Sequence, residues 1–443
     1  MADSLTIPTC SGPIKGQIRP PGSKSITNRA LVCAALARGT SRLTGVLDSQ
    51  DTRVMATALA ALGFQLRADW PRGEILVEGS GGAIPAAEAT LDCAASGTTM
   101  RFLAAVCALG HGRYRLDGTA RMRQRPIGDL LAALRELGVD AEAGSPGECP
   151  PVTIHSRGLA GGAASVRGSA SSQFASGLAL AAPCTRSGIR IRFTGEIVSL
   201  PYLDMTRRVI TAFGGRCITE DERTWSIPPG GYAGREYDIE PDASAASYFF
   251  AAAAISGGSV RVDGLSRRSM QGDVAFCDAL DRMGCNVAWN EGDASGGGDS
   301  ITVTGRAVHG IDIDMNAISD TVPTLAVVAL FAGSPTTIRN VAHIRDKETD
   351  RIGNLVHELR SLGADAREHA DGLTIVPGPL HDASIRTYDD HRMAMSLALA
   401  GLRTPGVCVQ DPGCVAKTFP DYWQRLGELA GFNAGWPRKL DTL

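Results

Sequence analysis

Donor side chains recur in this chain at one kind of place, the start of an apolar, alanine-rich run. "SKSITNR" opens one run with Lys24, Ser25 and Arg29, and "SGTTMR" opens a second with Ser96, Gly97, Thr98 and Arg101. A third, "SASSQF", carries Ser171, Ser172 and Gln173. Hydroxyls, amides and cations together suit phosphate and carboxylate oxygens. Three runs in the second half open on acids instead: Asp242, Asp320, and Asp389 with Asp390, His391 and Arg392. If the runs are parallel helices, their starts gather at one end, where unbonded N–H groups and the helix dipole favour anions. One such start is an ordinary cap with a surface arginine. Three in register argue for a shared anion site.

A second charged stretch, "RDKETDR" at 345–351, has six charged side chains in seven residues. Alone it reads as a solvated helix start. Asp346, Glu348 and Asp350 suit the positive end of a helix dipole, but Lys347 and Arg351 oppose it.

The elements that must position these residues repeat. An amphipathic helix ending in glycine and followed by a short strand occurs six times, with Gly63, Gly138, Gly214, Gly284, Gly363 and Gly431 as the terminating residues. Apolar positions at i, i+3, i+4 and i+7 give each helix one buried face, and glycine is the expected residue past its end. The alanine-rich runs supply a second helix to each repeat, apolar nearly all round and therefore buried. Each opens on Ser or Asp, good N-caps. β-branched runs such as "SIRIRFTG" and "GSVRVDG" read as strands between them. The chain is expected to be α/β, six similar units split three and three, with the change near 238–242.

Bulk properties limit the function. The 443 residues exceed one ordinary core, and 44% hydrophobic with 21% charged residues is a globular composition. A formal charge of −3 gives no general attraction to nucleic acid or anionic membrane, so neither is expected as a partner. No apolar h-region opens the chain and no run is long enough to span a bilayer. Eleven scattered cysteines without a C-x-x-C pair suggest buried thiols in a reducing cytoplasm. No metal pattern, nucleotide loop or dinucleotide fingerprint is present, and no cofactor is expected.

Nine motifs occur in order from residue 21 to 423: "PGSKSITNRA", "SGTTMR", "RPIGDL", "GSASSQF", "SLPYLDMT", "DASAASYF", "RDKETDRI", "TYDDHRMAM" and "AKTFPDYW". Together they resemble the 5-enolpyruvylshikimate-3-phosphate synthase family, over nearly the whole chain. The resemblance implies a two-domain inverse α/β prism of six βαβαββ-like repeats, three per domain. One domain would comprise 1–22 with 241–443 and the other 23–240, with the active site in the cleft between them. It implies transfer of the enolpyruvyl group of phosphoenolpyruvate to the 5-hydroxyl of shikimate 3-phosphate, in the shikimate pathway of aromatic amino-acid biosynthesis. A cytoplasmic monomer acting on these two small molecules is expected.

Carried over motif by motif, Lys24, Ser25, Arg29, Ser171, Ser172, Gln173, Ser199, Tyr202, Asp320 and Lys347 should hold shikimate 3-phosphate. Lys24, Gly97, Arg125, Gln173, Arg351, Arg392 and Lys417 should hold phosphoenolpyruvate. Lys347 and Arg351 would then oppose the helix dipole because a bound anion sits between them and the other cations. Addition followed by elimination needs a base and an acid. Asp320 is the expected base, although as a bare sequence position it also fits an N-cap, and Glu348 and Lys24 are both candidates for the acid.

Three positions depart from the family pattern. Ala95 stands where asparagine is usual, Phe102 where proline is usual, and His343 where asparagine is expected. Ala95 and Phe102 flank the phosphoenolpyruvate motif, so reduced sensitivity to glyphosate is expected. The sister enolpyruvyl transferase acting on a UDP-sugar carries a reactive loop cysteine, and none lies between Cys107 and Cys149. A non-catalytic anion-binding paralogue would have no need to keep Asp320, Glu348, Lys24 and Lys417.

Overall fold

Glycine has no Cβ and accepts the left-handed conformation that stops a helix. In the computed structural model, which describes residues 4–169, 171–292, 298–432 and 436–437, all six terminating glycines have φ between 71° and 101°. Contacts divide the chain into two units, Met1–Pro21 with Glu240–Leu443, and Gly22–Ile239. Hydrogen bonds explain the crossings, each one residue earlier than the sequence suggests. The Asp242 N–H donates to the Pro21 carbonyl inside the first unit, and the Ile239 N–H donates to the Thr44 carbonyl inside the second.

The Gly22–Ile239 unit holds α1 (Lys24–Leu36), α2 (Gln50–Ala61), α3 (Gly97–Cys107), α4 (Gly128–Glu136), α5 (Ser172–Ala181) and α6 (Leu200–Ala212). Its middle repeat shows the plan. Strand Glu88–Asp92 leads through α3 to the parallel strand His111–Asp117. Helix α4 then leads to an antiparallel hairpin of Asp140–Ser145 and Cys149–Arg157, whose second strand also pairs with His111–Asp117. A helical crossover permits parallel pairing, whereas a short turn permits only antiparallel pairing. The βαβαββ order follows. The third repeat copies it around α5 and α6, and the first borrows its leading strand from Tyr232–Ala233 and Glu236–Asp238.

The other unit holds α7 (Ala243–Ser256), α8 (Phe276–Arg282), α9 (Val322–Ala329), α10 (Arg351–Ser361), α11 (His391–Ala398) and α12 (Tyr422–Ala430). Its first sheet takes a leading strand from the N-terminal segment, Lys15–Ile18 parallel to Ser259–Asp263. Ser4–Thr6 pairs antiparallel with Cys408–Gln410 in the last sheet. Each unit is thus an inverse α/β prism, with sheets outside and helices within.

The odd-numbered helices, α1, α3 and α5 in one unit and α7, α9 and α11 in the other, are the inner ones, and their alanine content lets them approach closely. Every residue of α3 and of α7 is buried. At Gly177 of α5 a Cβ would stand 2.7 Å from the Arg101 carbonyl of α3, so only glycine permits that approach. A buried hydroxyl ladder joins α7, α9 and α11: Ser247 to Thr324 at 3.2 Å and Thr324 to Ser396 at 3.1 Å. No helix among the described residues is long and apolar enough to cross a membrane.

Three inner helices start later than their sequence suggests. Helix α5 is capped by Ser171 and α11 by Asp390. Helix α9 follows Thr321 with no side-chain cap bond, Asp320 having been drawn into other contacts.

Candidate active site

In the Gly22–Ile239 unit the donor residues meet at the starts of α1, α3, α5 and α6. Ser23 caps α1, so Lys24 and Ser25 occupy its first turn. The Lys24 ammonium lies 3.3 Å from Asp51 of α2, a buried carboxylate that the motifs did not single out. Nothing in the local pattern distinguishes Asp51 from an ordinary first-turn acid; only the fold brings it under Lys24.

Arg29 is 2% exposed and points inward. Its guanidinium donates to the Thr206 hydroxyl at 2.8 Å, the Ser25 carbonyl at 2.9 Å and the Tyr202 carbonyl at 3.2 Å. It also reaches the Ser176 hydroxyl at 3.5 Å and stacks 5.1 Å from the Phe102 ring centroid. These partners are neutral, and burial pushes the guanidinium down to about 10. Arg29 therefore ties together the segments carrying Ser25 and Tyr202. Phe102, the departure from proline, is fully buried and serves as the platform for that cation.

Gly97 is the first residue of α3, after the Ser96 cap. A Cβ there would meet Arg101 Nη1 at 2.7 Å and both Arg125 terminal nitrogens at 2.9 Å. Two guanidinium groups thus converge on bare backbone. Arg101 donates to Gln173 Oε1 at 2.7 Å, and Gln173 donates onward to Thr98 at 3.4 Å, which joins the starts of α3 and α5. The Arg125 Nε is buried with no hydrogen-bond partner among the described residues. Ser171 accepts from the Gln173 N–H as the cap of α5, and Ser172 is the first residue of that helix. Ser199 precedes α6 in a left-handed conformation, φ 56°, and Tyr202 lies in the first turn.

In the other unit the acids and bases interlock. Asp320 accepts from Arg351 Nη1 at 3.1 Å and from Arg392 Nη2 at 2.8 Å. Arg351 also donates to Asp390 Oδ2 at 2.7 Å and to Glu348 Oε2 at 2.9 Å. Lys417 closes the set, 3.0 Å from Glu348. Arg351 is 2% exposed; burial opposes its charge, but Asp390, Glu348 and Asp320 outweigh burial and raise it above the ordinary range. The protein's own three carboxylates supply the counter-charge.

Asp390 is fully buried and does two things, accepting the Arg351 fork and capping α11 through the Arg392 N–H. His343 lies near Lys347 and Asp320; burial first, then the Lys347 ammonium, push its imidazole down to about 4 against the pull of Asp320. At neutral pH it is uncharged, as the family asparagine would be. Burial pushes the Asp389 carboxyl up, with Lys417 acting against it.

Two inverse prisms of three repeats, one rich in donors and one in interlocked acids and cations, define an architecture that is found in solved structures. The EPSP synthase of Acinetobacter baumannii superposes with a TM-score of 0.80 at 26% identity, over 97% of each chain. The EPSP synthase (3-phosphoshikimate 1-carboxyvinyltransferase) profile matches residues 8–426. The 3-phosphoshikimate 1-carboxyvinyltransferase of Nostoc punctiforme is 46% identical over 429 residues, covering 96% of this chain and 99% of that protein. The enzyme of that name from Vibrio campbellii is 44% identical over 432 residues, 97% of this chain and all of its own length. The chain belongs to the EPSP synthase family.

Proposed function

We propose that this chain transfers the enolpyruvyl group of phosphoenolpyruvate to the 5-hydroxyl of shikimate 3-phosphate and releases phosphate. Family membership supports the reaction, and one arrangement carries the mechanism. The Asp320 carboxylate is not spent as a helix cap but is held between Arg351 and Arg392. An acid fixed by two cations keeps its orientation, and a carboxylate can accept a substrate hydroxyl beside them.

In the addition step Asp320 takes the proton of the 5-hydroxyl as that oxygen bonds to C2 of phosphoenolpyruvate. The methylene carbon receives a proton from Glu348 or Lys24 and becomes a methyl group, giving a tetrahedral ketal. In the elimination step the methyl group returns its proton to the acid, the C2–O bond to phosphate breaks as the departing phosphate takes the proton held by Asp320, and the enol ether forms. Atoms and charges balance without a cofactor.

Ser25, Ser171, Ser172, Ser199, Tyr202 and Lys347 offer donors to shikimate 3-phosphate. Arg29 acts from below by fixing Ser25 and Tyr202. Arg125, Lys417 and the Gly97 backbone receive phosphoenolpyruvate, together with Arg351 and Arg392, and Gln173 touches both substrates. A coupled phosphate-release assay with both substrates tests the reading. Release with a UDP-sugar in place of shikimate 3-phosphate, or no release at all, refutes it.

Two substitutions probe the phosphoenolpyruvate side. In Gly97→Ala the new methyl group displaces the tips of Arg101 and Arg125. Loss of one charge-assisted bond, about 1.5 kcal/mol, should raise KM for phosphoenolpyruvate roughly tenfold and leave shikimate 3-phosphate affinity unchanged. An unchanged KM in a steady-state titration would place the anion elsewhere. For Ala95→Asn the expected change is tighter inhibition by glyphosate, by roughly 10–100-fold, because the amide restores a hydrogen bond to the inhibitor's amine that phosphoenolpyruvate does not need. Equal inhibition constants for the two proteins would show that Ala95 has no part in sensitivity.

A further inference from the structure

The 3-10 turn Gly272–Ala275 carries a carboxyl, Asp273, that the mechanism above leaves unused. It is 4% exposed. The turn is stapled to the start of α7: Ala243 N–H donates to Gln271 Oε1 at 3.1 Å, and Gln271 Nε2 donates to the Pro241 carbonyl at 2.6 Å. The Ser244 hydroxyl donates to Asp273 Oδ2. On its other side the turn packs against the 3-10 segment Asn316–Thr321, which carries Asp320.

We propose that Asp273 is a positioning residue for the enolpyruvyl transfer, a buried carboxyl whose negative charge makes the neighbouring Asp320 a stronger base. The inference rests on the reading of Asp320 as the base. Its physical content is like-charge coupling. A second carboxylate in low dielectric disfavours another negative charge beside it, so Asp320 takes up a proton more readily when Asp273 is ionised.

The groups acting on Asp273 come from each surrounding element. Burial and the Asp320 carboxylate push Asp273 up to about 6; the Ser244 hydroxyl and Arg392 act against them, and Asp242 adds to them. On α8, which continues the turn, Asp278 pairs with Arg267, Arg282 donates to the Asp312 carbonyl, and Asp281 is exposed. Carboxyls coupled in this way titrate as a pair, in two steps that belong to both. The fully effective base is the doubly ionised pair, and the upper step sets the acidic limb of the rate profile.

The test is the pH profile of kcat/KM for full-length protein carrying Asp273→Asn or Ser244→Ala, beside Asp320→Asn. Asp273→Asn removes the upper step, so the acidic limb should move down by about one pH unit while the plateau falls several-fold. Ser244→Ala keeps the carboxyl but removes a donor that favours its charged form, so the limb should move up. Opposite shifts are what a residue that only supports the fold does not produce. If Asp320→Asn is inactive and neither other variant moves the limb, Asp273 is structural and the inference fails. If Asp320→Asn turns over normally, the reading of Asp320 fails first. Should Asp273→Asn not fold, an unmoved limb in Ser244→Ala alone overturns the proposal.

Discussion

Alanine at position 320 is expected to cut turnover by about 10²–10⁴-fold, the span of an acid–base group, with shikimate 3-phosphate affinity changed by less than roughly tenfold. The proposed mechanism gives the carboxylate two tasks, and asparagine and alanine separate them. As a base it must accept the 5-hydroxyl proton, which neither alanine nor asparagine can do. As a counter-ion it accepts hydrogen bonds from Arg351 and Arg392 at 3.1 and 2.8 Å. Asparagine keeps one acceptor oxygen for those arginines and alanine keeps none. Both variants should therefore be similarly slow, but the alanine protein should melt lower, by the equivalent of about 1.5–3 kcal/mol for a lost charge-assisted bond. Single-turnover rates and melting curves of the pair check this. Near-normal turnover in the asparagine variant would leave Asp320 as a counter-ion only.

Arg351→Met should produce the largest loss of stability. Methionine fills much of the volume but leaves Asp390, Glu348 and Asp320 without the cation they share. Asp390 has no exposed surface through which water could compensate. Removing one partner from a buried charge cluster costs about 3–5 kcal/mol. For a unit of this size that is a fall of roughly 10 °C in melting temperature. The remaining carboxylates repel one another and should be protonated more readily, so the deficit should shrink as pH falls. Turnover should drop as well, because Asp320 and Glu348 lose the fork that orients them. Calorimetry at pH 5 and pH 8 measures both effects. A melting point within about 2 °C of the parent at pH 8 would mean that the cluster gives no net stability.

Local chemistry made much of the architecture legible. Each terminating glycine adopts the conformation that its place after an amphipathic run requires. Ser23, Ser96 and Asp242 cap the helices they were expected to cap. All-round apolar runs became the buried helices. Such signals act over a few residues, so they survive in the linear order of the chain.

The site was legible as a set of residue types at helix starts, and its pairings were not. Arg351 meets Asp320 across 31 positions and Asp390 across 39, while Arg392 meets Asp320 across 72. Arg29 finds Thr206 across 177 positions. No periodicity or cap preference relates residues so far apart, and a carboxylate looks the same in sequence whether it caps a helix or faces an arginine. Burial decides between these roles, because a charge removed from water must find a partner. The sequence by itself determined the repeats, their helices and which ends carry charge. Tertiary packing alone decided that Arg351 would be enclosed by three carboxylates, that Asp320 would leave its helix uncapped, and that Asp273 would lie buried beside it.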